Sequence, residues 1–154
     1  MTDQLIIGID PGKSGGIAFF FDDGDQIVEP MPDTMSDIHM LLHNTAMLKF
    51  GRWTPIKAFA YIEKVHSSPQ MGVTSAFTFG QGYGALLMLL TCKGIPFEQV
   101  TPQKWQKALG CMSKGDKNVT KRRAQELFPG LKITHATADA LLIGEYGRRL
   151  RQGI

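Results

Sequence analysis

Two short apolar runs, each closed by an acid, do most to restrict the fold of this chain. Leu5-Ile6-Ile7-Gly8-Ile9 is largely β-branched and uncharged, so it reads as a buried strand. Asp10 follows it directly, at the head of the turn Pro11-Gly12-Lys13-Ser14-Gly15-Gly16. Residues 58–62 form a second such run, and Glu63 ends it. Residues 17–21 and 26–29 read as further strands around the turn Asp22-Asp23-Gly24-Asp25, so the first three strands make an antiparallel meander. Residues 97–100 follow the Gly94-Ile95-Pro96 break as one more strand. Helices are expected over 33–50, 74–93, 102–109, 119–128 and 136–151, the first burying Ile38, Leu41, Leu42, Thr45 and Leu48 on one face. Strands leading into alternating helices and strands describe an α/β layered domain.

At 154 residues the chain has the length of one domain, 1–154, with enough surface to bury a core without staples. Its two cysteines, Cys92 and Cys111, fit neither a CxxC nor a Cys/His metal spacing, which points to a reducing, cytoplasmic compartment. The start Met1-Thr2-Asp3-Gln4 lacks the basic region of a signal peptide, and the longest unbroken apolar run, 85–90, is far shorter than a bilayer span. No membrane partner is expected.

The net charge of +3 conceals a division. Residues 1–103 carry six Lys/Arg against ten Asp/Glu, whereas residues 104–154 carry eleven against four. The positive excess gathers at Lys104, Lys107, Lys114, Lys117, Lys121, Arg122 and Arg123, with Asp116 the one acid among them. Such asymmetry fits a polyanionic partner, nucleic acid above all; the competing reading is a solvated helix face.

Three acids are candidates for chemistry. Asp10 and Glu63 each follow a buried strand, and no Lys or Arg lies within either strand to neutralise them. Asp139 is expected in the first turn of the last helix, with Leu142, Ile143 and Tyr146 at +3, +4 and +7, which turns it toward the apolar side. A buried carboxylate requires a donor, a counterion or a metal, and converging carboxylates suit Mg²⁺ or Mn²⁺. Each acid also admits a structural role. Asp10 could accept from the Gly12 and Lys13 amides, Glu63 could pair with Lys64 or a distant base, and Asp139 could serve as an N-terminal helix acid. His135, four residues before Asp139, is a candidate ligand or water-activating group, or a plain residue beside the N-cap Thr134. Gly80, Gly82 and Gly84 weaken the helix that contains them, which calls for a compensating close approach by a neighbour, in the same subunit or across a two-fold axis.

The ordered set Ile6-Ile7-Gly8-Ile9-Asp10-Pro11-Gly12, Ile62-Glu63-Lys64-Val65 and Ala138-Asp139-Ala140-Leu141 resembles that of RuvC-like Holliday-junction resolvases. The glycine-bearing helix, Val100-Thr101-Pro102 and Gly115-Asp116-Lys117 extend the resemblance from Ile6 to Arg149, and the compact length is most similar to bacteriophage or prophage versions. The resemblance implies an RNase H-like fold with a mixed five-stranded sheet flanked by helices. It also implies a homodimer and Mg²⁺-dependent cleavage of branched DNA through two metal ions.

By position, Asp10, Glu63 and Asp139 match the metal-binding acids of that family, and Lys117 matches a basic residue near the scissile phosphate. His66 falls where the enterobacterial type has an aromatic wedge. Lys104 and Lys107 fall in a basic segment of the family; on charge, these two with Lys117, Lys121, Arg122 and Arg123 are expected to supply the DNA-binding surface. The family's further acid or histidine, three residues before the last aspartate, is Ala136 here, with His135 one residue earlier as the substitute. Two other classes stay open: a non-catalytic nucleic-acid-binding module, and an actin-like or sugar-kinase-like ATP-binding domain, whose phosphate loop residues 7–16 also resemble.

Overall fold

A computed structural model describes residues 4–52 and 57–154; the N-terminal Met1-Thr2-Asp3, read above for targeting signals, lies outside them. The described elements are β1 (Gln4–Asp10), β2 (Gly16–Phe21), β3 (Gln26–Pro30), α1 (Met35–Phe50), β4 (Lys57–Glu63), α2 (Val73–Cys92), β5 (Phe97–Val100), α3 (Pro102–Ala108), α4 (Lys117–Leu127) and α5 (His135–Gln152). The strands form one five-stranded sheet in the order β3-β2-β1-β4-β5. β1 pairs antiparallel with β2, and β2 with β3, whereas β4 runs parallel to β1 and β5 parallel to β4. The mixed α/β architecture expected from the sequence is the one observed.

Strand alternation splits the core in two. Leu5, Ile7 and Ile9 of β1, Ile17, Phe19 and Phe21 of β2, and Ala60 and Ile62 of β4 pack with Leu42 of α1 and Leu86 and Leu90 of α2. The opposite parity (Ala18, Phe20, Tyr61) packs with Trp105 and Leu109 of α3, Ala124 of α4, and Ala138, Leu141 and Leu142 of α5. Asp10 shares parity with Ile6 and Gly8, and Glu63 with Phe59 and Tyr61, so both acids leave the sheet on the α5 side.

Helix α5 lies unusually close to that face. A Cβ at Gly8 would stand 2.3 Å from the Ala140 carbonyl oxygen and 2.4 Å from Gly144 N. One at Gly144 would meet the Phe20 ring at 2.2 Å, and one at Gly147 the Tyr61 ring at 2.1 Å. Three glycines thus set the separation of helix and sheet.

Two expectations need correction. Leu48 is 89 % exposed, because α1 buries only Leu42, Thr45 and Ala46. The glycines of α2 meet no neighbour within the subunit: nothing lies within 4 Å of a Cβ built at Gly80, Gly82 or Gly84. Gly80 and Gly84 face outward, whereas Gly82 is half-buried and lines a groove with Met31 and Phe79. α2 is also, among the described residues, the one helix long and apolar enough to cross a membrane.

Candidate active site

β1 and β4 are adjacent and parallel with Ile9 opposite Ile62, so Asp10 and Glu63 finish side by side at the same edge of the sheet. Asp139, on α5, completes a group whose charges act on one another. Asp10 is pushed from its ordinary value of 3.8 to about 8, first by burial and then by repulsion from Glu63 and Asp139. Glu63 is raised by burial and by Asp139, against a hydrogen bond from Trp105. Asp139 is raised by burial, against the nearby Thr120 hydroxyl and the charges of Lys117 and His135. Lys117 is the cation common to all three.

Of the structural roles open to these acids, the one with a counterpart in the structure is a distant base for Glu63, the shared Lys117. The Asp10 carboxyl is governed by burial and by the charges of Glu63, Asp139 and Lys117, with no turn amide among the causes of its shift. Glu63 accepts from the Trp105 indole N–H at 2.9 Å and is not paired with Lys64. Asp139 is not in the first turn, as the sequence suggested. The Thr134 N–H donates to Thr137 Oγ1 at 3.0 Å, and the helix begins at His135, so Asp139 is its fifth residue and gains little from the helix N-terminus.

Glu63, Asp139 and Lys117 line a cleft of about 420 Å³ together with Pro102, Gln106, Ser113, Lys114 and Thr120. Among the described residues no three His, Cys, Asp or Glu side chains stand ready-gathered around one point at ligand distance. The donor set still fits a hard divalent cation. It is all oxygen, it is sheltered, and its mutual repulsion is what a cation would relieve.

The remaining candidates fall into separate places. His135 is exposed at the start of α5, within electrostatic reach of Asp139. His66 is exposed in the loop between β4 and α2, outside the cleft lining. Lys104 pairs with Glu98 at 3.2 Å. Arg123 donates to the Leu109 carbonyl at 2.8 Å and pairs with Glu126 at 3.2 Å. Lys107 and Arg122 are exposed and Lys121 is half-buried. Sequence reasoning missed Trp105, Thr120 and the Gln106–Ser113 contact. A larger groove of about 680 Å³, lined by Arg148, Arg149 and Arg151, lies near the start of β1 and contains none of the three acids.

A mixed sheet in the order β3-β2-β1-β4-β5, flanked by helices, is an RNase H-like fold. The sequence matches no family model and no curated protein. Among solved structures, Thermus thermophilus RuvC superposes with a TM-score of 0.59 at 18% identity, covering 97% of this chain and 96% of that one. The T. thermophilus RuvC complex with Holliday junction substrate gives 0.57 at 17% identity, covering 97% and 96%. The yeast mitochondrial Holliday junction resolvase gives 0.53 at 16% identity, covering 96% of this chain and 78% of that one. At these identities the likeness is one of fold.

Proposed function

We propose that this chain is a metal-dependent, structure-selective endonuclease that hydrolyses phosphodiester bonds in four-way and other branched DNA, acting as a homodimer. The observation that carries the reading is the mutual electrostatic influence of Asp10 and Glu63, at the ends of the adjacent strands β1 and β4, and Asp139 of α5, with Lys117 acting on all three. Asp10, Glu63 and Asp139 would hold Mg²⁺, or Mn²⁺ in its place, which supplies Lewis-acid activation of water and of the phosphoryl group. Lys117 faces the position where negative charge builds on the scissile phosphate, where a fixed cation helps most. His135, exposed at the start of α5, acts on Asp139 through its charge. Lys107, Lys121 and Arg122 supply phosphate contacts that give affinity without sequence information. Lys104 and Arg123 are already committed to partners within the chain and contribute less.

The dimer rests on α2. Val73, Phe77, Gly80, Gly84 and Met88 follow one another at spacings of three and four along an exposed stripe, with Val73 89 %, Phe77 67 % and Met88 59 % exposed. Small residues flanked by apolar ones permit two helices to approach closely, and a two-fold pair would present two clefts to two strands of a junction.

Nicking of a synthetic four-way junction beside matched linear duplex, with Mg²⁺ and with chelator, tests the activity. Glu63→Gln and Asp139→Asn should each abolish cleavage and leave junction binding intact. Lys117→Ala should depress the single-turnover rate more than affinity, whereas Lys121→Ala should weaken junction and duplex alike and flatten the salt dependence by about one unit of log–log slope. Wild-type cleavage by Asp139→Asn would overturn the assignment, and a strict monomer in sedimentation equilibrium, free and junction-bound, would overturn the dimer.

A further inference from the structure

Trp105 is fully buried, and a buried indole N–H must find an acceptor. Its acceptor is Glu63 Oε2, at 2.9 Å, across 42 positions of sequence. The ring is packed in the core cluster that contains Tyr61, Val100, Leu109 and Leu141, so it has no room to follow a wandering carboxylate. α3 itself is fixed at its start by Thr101, whose hydroxyl caps the helix, and by Pro102 in its first turn. The backbone behind Glu63 is held as well: Lys64 N donates to the Val100 carbonyl at 2.8 Å. Glu63 Oε2 is thus anchored to a rigid element.

The next residue of α3 reaches the other wall of the cleft. Gln106 Oε1 accepts from the Ser113 amide at 3.1 Å and from its hydroxyl at 3.3 Å, and Ser113 Oγ accepts from Gly115 N at 3.3 Å. One short helix therefore fixes an acid through Trp105 and the loop leading to Lys117 through Gln106.

We propose that Trp105 is a positioning residue: its buried indole N–H holds the Glu63 carboxylate in the orientation in which it binds the divalent cation. The inference rests on the metal-site reading given above. A carboxylate without this donor would regain rotamer freedom and would have to be ordered again each time a cation binds. Groups that orient a metal ligand typically change affinity by about 10-fold or more when they are removed.

The test uses Mg²⁺ alone, without DNA. Trp105→Phe keeps most of the ring volume and deletes the N–H. Its Mg²⁺ midpoint, read from thermal stabilisation, should rise about tenfold. Cleavage should recover substantially at saturating Mg²⁺, which a general packing defect would not permit. In ¹⁵N-labelled Trp53→Phe protein, the one remaining indole N–H resonance should move with Mg²⁺ at the same midpoint. Glu63→Gln in that background should shift the resonance and remove its response. An unchanged midpoint in Trp105→Phe, or an indole resonance indifferent to both Mg²⁺ and Glu63→Gln, would overturn the proposal. Should Trp105→Phe fail to fold, the resonance measurement decides alone. A wild type that leaves junctions intact while its indole resonance follows Mg²⁺ would sink the nuclease reading and leave the positioning role standing. A wild type that ignores Mg²⁺ in both measurements would end both.

Discussion

Asp10→Asn should make the metal-free protein more stable, the reverse of what loss of an anchoring carboxylate would do. The folded chain holds the Asp10 proton up to about pH 8, whereas the unfolded chain releases it near 3.8. Between those values the folded state binds one proton more, so stability falls as pH rises through the window, by about 1.4 kcal/mol per pH unit. From pH 5 to pH 8 the loss from this one group is about 4 kcal/mol if the environment does not relax, and about 2 kcal/mol if water and side-chain movement absorb half of it. For a chain of this length, 2 kcal/mol corresponds to roughly 4–8 °C in Tm. The assay is thermal unfolding followed by circular dichroism, in chelator, at half-unit steps from pH 5 to pH 8.5. Wild type should lose stability steadily across the series. Asp10→Asn should be flatter and should melt higher than wild type by at least 4 °C at pH 8. Millimolar Mg²⁺ should reverse the order at pH 8, because a cation that binds only the folded wild type adds stability there. A variant that melts below wild type in chelator, or that keeps the wild-type slope, would refute the argument and return Asp10 to a structural role in the turn.

Two further outcomes follow from the packing of α5. Glu145 is 4 % exposed and receives Arg148 Nε at 2.7 Å and Arg149 Nε at 2.7 Å; burial pushes its carboxyl up, but these two arginines outweigh that and hold it below its ordinary value. Its contribution is therefore fully present above the ordinary glutamate value of 4.5 and is lost as pH falls from there through the lower value of the folded state. Glu145→Gln should cost about 2–3 kcal/mol in urea unfolding at pH 7, the arginines being one-third exposed, and progressively less as the solution is acidified below the ordinary glutamate value. Gly8→Ala would drive a methyl into the Ala140 carbonyl and the Gly144 backbone, neither of which can swing aside. It should destabilise by about 3 kcal/mol or more, and should suppress cleavage even in the folded fraction because α5 carries Asp139.

Much of the site was legible because strand parity is a property of sequence. Asp10 follows Ile9 and Glu63 follows Ile62, and counting alternate residues back from each puts both acids on the face opposite Ile7, Ile9, Ala60 and Ile62. The pairing that makes them neighbours, Ile9 with Ile62, joins residues 53 positions apart, and no local pattern specifies it. The same limit explains Trp105. Its large apolar ring four residues before Leu109 marks a buried helix face, and burial of an indole N–H demands an acceptor, but the sequence does not say which one. Leu48 failed for a different reason: an apolar residue at helical spacing is buried only if something packs over it, and α1 is covered along a stripe too narrow to reach it.

The glycines divide the same way. Gly8, Gly144 and Gly147 bring α5 onto the sheet and so carry Asp139 to the strand ends, while Gly80 and Gly84 of α2 are open to the outside. The close approach that assembles three acids also prevents their charges from spreading into solvent. Asp10 records the consequence in a carboxyl that stays protonated to about pH 8. A fold stabilised for its own sake would place an amide or an apolar residue there. Placing Glu63 and Asp139 on one cleft, close enough to raise the carboxyl of the buried Asp10 beside them, is intelligible under the proposed reading that a cation offsets their repulsion.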